Sequence, residues 1–177
     1  MPALVTPRLR LVPVTLAAVE AVLARDRGAA ERAVGARFPE AWPNDDLIAR
    51  AFRVSIVEIR AAPDVRLWGD SLILLRDEPR VVGSVVFRGK PDDGIAEVGY
   101  GIEDGARCNG FATEAVRACI EWALAEPDVH AVHATTFPWH HASLAVIRKC
   151  GMIQVGVRQH DLLGDLLVFE RARLRIS

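Results

Sequence analysis

Three short apolar runs set end to end constrain this chain more than any other feature. WGDSLILLR (Trp68–Arg76), RVVGSVVFR (Arg80–Arg88) and IAEVGYGI (Ile95–Ile102) are each of strand length, and only the polar pieces DEP and GKPDDG separate them. Turns that short predict antiparallel neighbours. LRLVP (Leu9–Pro13) reads as an earlier strand. TLAAVEAVLARD follows it with Leu16, Val19 and Leu23 at helical spacing behind Thr15, a candidate cap. The stretch from Gly28 to Pro43 has no regular pattern. PNDDLIARAFRVSIVEIRAAP predicts a second helix, capped by Asn44, with Asp45 and Asp46 at its positive end and Pro63 at its close.

Beyond the three runs, a helix is expected from about Phe111, then the strand AVHATTF (Ala131–Phe137) and a short helix in HHASLAVIRKCG ended by Gly151. MIQVGVRQ and LLVFERARL make a last strand pair around a turn near Gly164. The order β-α-α-β-β-β-α-β-α-β-β describes one α/β (α+β) domain over residues 1–177, with a mostly antiparallel central sheet of about seven strands and helices on its faces.

Composition narrows the function classes. A net charge of -1 with no basic patch argues against a nucleic-acid partner. The start MPALVTPRLR lacks the pattern of a secretion leader, and no apolar run approaches a membrane span. Cys108, Cys119 and Cys150 show no metal spacing and read as reduced thiols of a cytoplasmic protein.

The stretch RCNGFATEAVRACIEWAL (Arg107–Leu124) passes from a loop around Gly110 straight into an amphipathic helix. Ala115, Val116, Cys119, Ile120, Ala123 and Leu124 share one face of that helix, opposite Glu114, Arg117 and Glu121. A helix amino terminus exposes unpaired N–H groups and partial positive charge, so it binds anions without a basic side chain. A plain strand-to-helix connection would use the same glycine. No Gly-Lys-Ser/Thr run marks a nucleotide P-loop. The dinucleotide reading of GYGIEDG would put Glu103 and Asp104 against a pyrophosphate, which disfavours it.

Three stretches resemble the GNAT acetyltransferase superfamily, and within it the ribosomal-protein N-acetyltransferase branch. Arg107-Cys-Asn-Gly110-Phe-Ala112 fits the Arg/Gln-x-x-Gly-x-Gly/Ala pattern that holds acyl-coenzyme A. VTPRLRLVP is similar to that branch's Thr-x-Arg-Leu-x-Leu opening. In HHASLAVIRKCGM, Ser143, Val146, Lys149 and Gly151 fall in register with the second cofactor motif. The resemblance implies the GNAT fold, with a V-shaped splay between the fourth and fifth strands. It implies acetyl-coenzyme A as co-substrate, the pantetheine arm along Tyr100, Gly101 and Ile102, and the pyrophosphate on the N–H groups from Arg107 through Cys108, Asn109, Gly110, Phe111 and Ala112 to Thr113. His140 stands where the family usually has an asparagine that contacts the cofactor, and Ile147 where many members have a tyrosine acid. Ser143 matches the serine that the branch carries near the sulfur and is the weaker candidate general acid; a serine bonding back to its own helix is the alternative. Relatives in the branch are often homodimers.

Strand periodicity puts Ile95, Glu97, Gly99 and Gly101 on one face, where two glycines leave open volume beside a carboxylate. Glu97 is therefore the candidate general base, matching the glutamate that takes the amine's proton in many relatives; a salt bridge is the competing explanation. Transfer of acetyl to a protein N-terminal α-amino group is the expected activity, with a small-molecule amine such as an antibiotic or polyamine as the alternative acceptor. A binding module that holds acetyl-coenzyme A without turnover is the reading from another class. No metal site is expected, because His130 and His133 of HAVH point to opposite sides of a strand and His140 and His141 diverge at a helix start. Cys150 reads as a packed thiol, and Phe38 and Trp42 as acceptor-pocket or core residues.

Overall fold

The computed structural model describes residues 3–41, 43–45, 52–61, 68–162 and 164–174. In chain order the elements are β1 (Leu4–Val5), β2 (Leu9–Pro13), α1 (Leu16–Leu23), α2 (Arg27–Val34), α3 (Arg53–Ala61), β3 (Asp70–Leu75), β4 (Val81–Phe87), β5 (Ile95–Ile102), a 3-10 turn (Asp104–Ala106), α4 (Phe111–Ala125), β6 (Ala131–Thr136), α5 (His141–Lys149), β7 (Ile153–His160) and β8 (Gly164–Ala172).

The three apolar runs are β3, β4 and β5, and they pair antiparallel in sequence order. The sheet has eight strands in the order β1-β2-β3-β4-β5-β6-β8-β7. The strand beyond the expected seven is β1. Thr6 and Pro7 turn the chain so that Leu4 and Val5 pair with Leu11 and Arg10, a pairing too short to show as periodicity. A second departure is α2, in the stretch that looked irregular. Asp26 caps it by accepting from the Ala29 N–H, and Gly35 closes it at a φ of 71°. The helix is amphipathic over only two turns, and Ala30 is its one buried residue among those described. Helix α3 lies inside the predicted PNDDLIARAFRVSIVEIRAAP helix; residues 46–51 and 62–67, with the predicted Asp46 and Pro63 ends, fall outside the described residues.

Each face of the sheet is covered. On one, Leu9, Leu11, Val98, Val116, Ile120, Val132 and Ile147 pack α4 and α5 against the strands. On the other, Val19, Val22, Phe38, Leu72, Leu74 and Val81 pack α1 and α2 against β3 and β4. Phe38 is thereby a core residue. Trp42 lies outside the described residues.

The parallel ladder between β5 and β6 positions the site. β5 and β6 pair only from Ile95↔Ala131 to Glu97↔His133, although β5 runs on to Ile102 and β6 to Thr136. The fourth and fifth long strands therefore part after Glu97, as the family resemblance implied. Glu97 C=O accepts from Arg88 N–H and Glu103 N–H donates to Val82 C=O, so the odd-numbered residues of β5 bond to β4. By alternation, Val98, Tyr100 and Ile102 turn their backbone groups toward the parting.

Candidate active site

Two features meet at the parting of β5 and β6: an uncapped helix end and a charged strand face.

Helix α4 begins at Gly110 with φ 78° and no side-chain cap. Its first in-helix bond runs from Glu114 N–H to Gly110 C=O, so the amides of Phe111, Ala112 and Thr113 are left to a ligand. Cys108 is also left-handed, at φ 62°. Left-handed residues that interrupt a turn gather successive N–H groups into an anion-binding concavity, so the residues from Arg107 to Thr113 fit a pyrophosphate. Loop side chains are bonded back to the protein. Asn109 Nδ2 donates to the carbonyls of Ala106 and Arg107 at 3.2 and 3.0 Å. Arg107 pairs with Asp104 at 2.7 Å and donates to Ile102 C=O at 3.2 Å. The acidic pair beside the loop is thus neutralised, since Glu103 pairs with Arg80 at 3.1 Å and caps the 3-10 turn through the Gly105 N–H. A β-branched residue tolerates φ above zero far less well than glycine. Cys108→Gly should therefore leave stability within about 0.5 kcal/mol, while Cys108→Val should lose about 1–2 kcal/mol, as thermal unfolding of the two variants will show.

Tyr100 leaves β5 on the α4–α5 side, and its hydroxyl reaches Ser143 on α5, 3.1 Å from the carbonyl oxygen and 3.0 Å from Oγ. This bond ties β5 to α5. It also accounts for the Ser143 hydroxyl, which meets a phenol and is not turned back on its own helix. Burial pushes the Tyr100 phenol up to about 12, against the lowering effect of the Ser143 bond. It keeps its proton at neutral pH and serves as a donor. Ile147, where many family members carry a tyrosine, is fully buried core, and the phenol beside Ser143 belongs to the strand. The sequence placed Tyr100 here for its backbone alone.

On the opposite face, Glu97 carries a network. Its Oε1 accepts from Thr135 Oγ1 at 3.2 Å and lies 3.5 Å from Arg88 Nε; its Oε2 lies 3.3 Å from Arg158. Glu97 thus lies where the strands part and also sits in salt bridges. His133, the register partner of Glu97 on β6, has its Nε2 3.0 Å from Oε2 of Glu170, its own partner on β8. That pairing holds His133 apart from His130, which packs beside Gly94.

His140 is the first turn's boundary residue of α5 and makes no side-chain cap bond; its ring stacks on Trp139 at 6.0 Å between centroids. Cys150 is buried, its thiol raised chiefly by that burial, and its Sγ lies 3.7 Å from Thr113 C=O. It is a packed thiol that ties α5 to the start of α4.

Residues 8–153 match the acetyltransferase (GNAT) domain. The chain belongs to the GNAT acetyltransferase family. Membership makes it an acyltransferase, an N-acetyltransferase by class. It is 28% identical over 151 residues to the uncharacterized N-acetyltransferase YjdG of Bacillus subtilis (strain 168), covering 84% of this chain and 88% of that protein. Two solved acetyltransferase structures share the fold. Ribosomal-protein-S5-alanine acetyltransferase from Vibrio fischeri superposes with a TM-score of 0.69 at 12% identity, over 99% of this chain and 98% of that one. The microcin C7 self-immunity acetyltransferase MccE, solved with acetyl-CoA and AMP, gives 0.65 at 15% identity, over 94% and 93%.

Proposed function

We propose that this GNAT enzyme moves acetyl from acetyl-coenzyme A to a primary amine, and that the acceptor is a protein N-terminal α-amino group. The observation that carries the reading is the convergence at one parting of the sheet: an uncapped helix for the pyrophosphate, an unpaired strand edge for the pantetheine arm, and a carboxylate on the open face.

The chemistry follows from that arrangement. Only a neutral amine attacks a thioester. An α-amino group has a pKa of about 7.7–8.0 and a lysine one of about 10.4. Glu97 already shares its oxygens with Thr135, Arg88 and Arg158. Much of its hydrogen-bonding capacity is spent before an amine arrives, which suits an acceptor that needs modest help through one ordered water. The backbone N–H groups of the even-numbered β5 residues, near Ile102, face the place where the carbonyl oxygen gains charge. The Tyr100–Ser143 hydroxyl pair is the donor for the departing thiolate, one proton turning from its present acceptor to the sulfur. A small-molecule amine is the second reading, supported by the fold shared with MccE.

Release of free thiol from acetyl-coenzyme A, measured with peptides bearing free or blocked N-termini and with a panel of small amines, tests the proposal. Turnover only with free N-termini is the expected result. Turnover only with small amines transfers the assignment to the second reading, and cofactor binding without turnover on any acceptor identifies a binding module.

Tyr100→Phe should lower kcat about ten- to a hundredfold, the worth of one hydrogen bond to a charged group. Because the phenol keeps its proton well above neutrality, the same loss is expected at about pH 6.5 and about pH 9, which a kcat–pH profile will check.

A further inference from the structure

The opening motif and the cofactor loop, separated by about a hundred residues, are joined side chain to side chain. The Glu114 carboxylate on α4 accepts from Thr6 Oγ1 at 2.6 Å, from Arg8 N–H at 2.9 Å and from Arg8 Nε at 2.7 Å. Burial alone would raise the Glu114 carboxyl, but the bonds from Thr6 and Arg8, with the Arg8 charge, outweigh it and hold the group below its usual range. The same guanidinium lies 4.9 Å over the Phe111 ring and donates through Nη1 to Asn109 C=O at 3.0 Å.

The last contact bears on the cofactor. In a trans peptide the C=O and the following N–H point in opposite directions. Fixing the Asn109 carbonyl on Arg8 therefore turns the Gly110 N–H away from Arg8, toward the concavity formed with Phe111, Ala112 and Thr113. A Cβ on Gly110 would lie 3.4 Å from Arg8 Nη2, so the guanidinium packs directly behind this peptide. The partnership with Glu114 has a second effect. A free carboxylate in the first turn would compete for the helix's positive end; Thr6 and Arg8 draw it to the outer side and neutralise it.

We infer that Arg8 is a positioning residue for the pyrophosphate site: it sets the Asn109–Gly110 peptide plane and removes the Glu114 charge from the anion's surroundings. The inference rests on the coenzyme A reading above. It explains why a Thr-x-Arg opening just before the second strand accompanies a Thr-Glu pair at the start of α4.

The test separates the nucleotide end of the ligand, with its pyrophosphate, from the pantetheine arm. Coenzyme A binding is measured by calorimetry, and binding of pantetheine, which lacks the pyrophosphate, by NMR titration, in the wild type, Arg8→Met and Arg8→Lys. Arg8→Met should weaken coenzyme A at least about tenfold and leave pantetheine unchanged. Lysine can pair with Glu114 but cannot hold Asn109 C=O at the same time. Arg8→Lys should therefore keep the wild-type melting temperature within a few degrees and still lose most of the coenzyme A affinity. Equal weakening of both ligands, or full coenzyme A affinity in Arg8→Lys, overturns the inference. A wild type that binds pantetheine and coenzyme A equally overturns the pyrophosphate site itself, and Arg8's role with it.

Discussion

Glu97→Gln is expected to lower kcat by about a hundredfold or more at neutral pH, the usual worth of a positioned acid or base, with the KM for acetyl-coenzyme A unchanged. Glutamine keeps the shape of the side chain and can still accept from Thr135. It loses two salt bridges whose arginines are more than half exposed, and pairs of that kind contribute about 0–1 kcal/mol. A large kinetic loss with a small change in melting temperature therefore separates proton transfer from structural support. The pH dependence sharpens the separation. As pH rises past the acceptor's own pKa, the amine arrives neutral and needs the carboxylate less, so the deficit should shrink toward about pH 9. Unchanged turnover at neutral pH would remove Glu97 from the mechanism and leave the salt bridges as its explanation.

The loop proposed to hold the cofactor was legible in the sequence because its features are local. Gly110, the small Ala112 and the amphipathic stripe of α4 lie within one short stretch, and each carries its own physical reason. The antiparallel meander was legible for the same reason, from apolar runs and short turns. What escaped reading depends on distant partners. Nothing near Glu97 announces that Arg158, 61 residues on, will share its carboxylate. Tyr100 reads as a strand residue until α5 brings Ser143 to its hydroxyl. Glu114 reads as the solvent side of an amphipathic helix until Thr6 and Arg8 close on it. Helix α2 was missed for a different reason: with two turns and one buried residue among those described, its stability lies in the Asp26 and Gly35 ends more than in any stripe.

Two glycines that look alike in the sequence should behave oppositely, and the contrast tests how the strands hold the site. Gly83 on β4 pairs with Ile102, and a Cβ there would lie 2.2 Å from Gly101 C=O and 3.0 Å from Ile102 Cα. Those atoms are backbone, so β4 and β5 would have to move apart. Gly83→Ala should cost about 3 kcal/mol or more, as overpacking against main chain does, a fall in melting temperature of roughly 6–12 °C for a chain of this size. The shift would also displace the stretch of β5 proposed to bind pantetheine, so cofactor affinity should fall with stability. Gly101 lies on the open face with Glu97, and a Cβ there meets nothing within 4 Å. Gly101→Ala should leave the melting temperature within about 1–2 °C and the coenzyme A affinity intact. It should instead raise the acceptor's KM, because the methyl fills volume where the amine must approach Glu97. If Gly101→Ala weakened coenzyme A binding and spared the acceptor, the two faces of β5 would have to exchange roles, and Glu97 could no longer be placed on the acceptor's side.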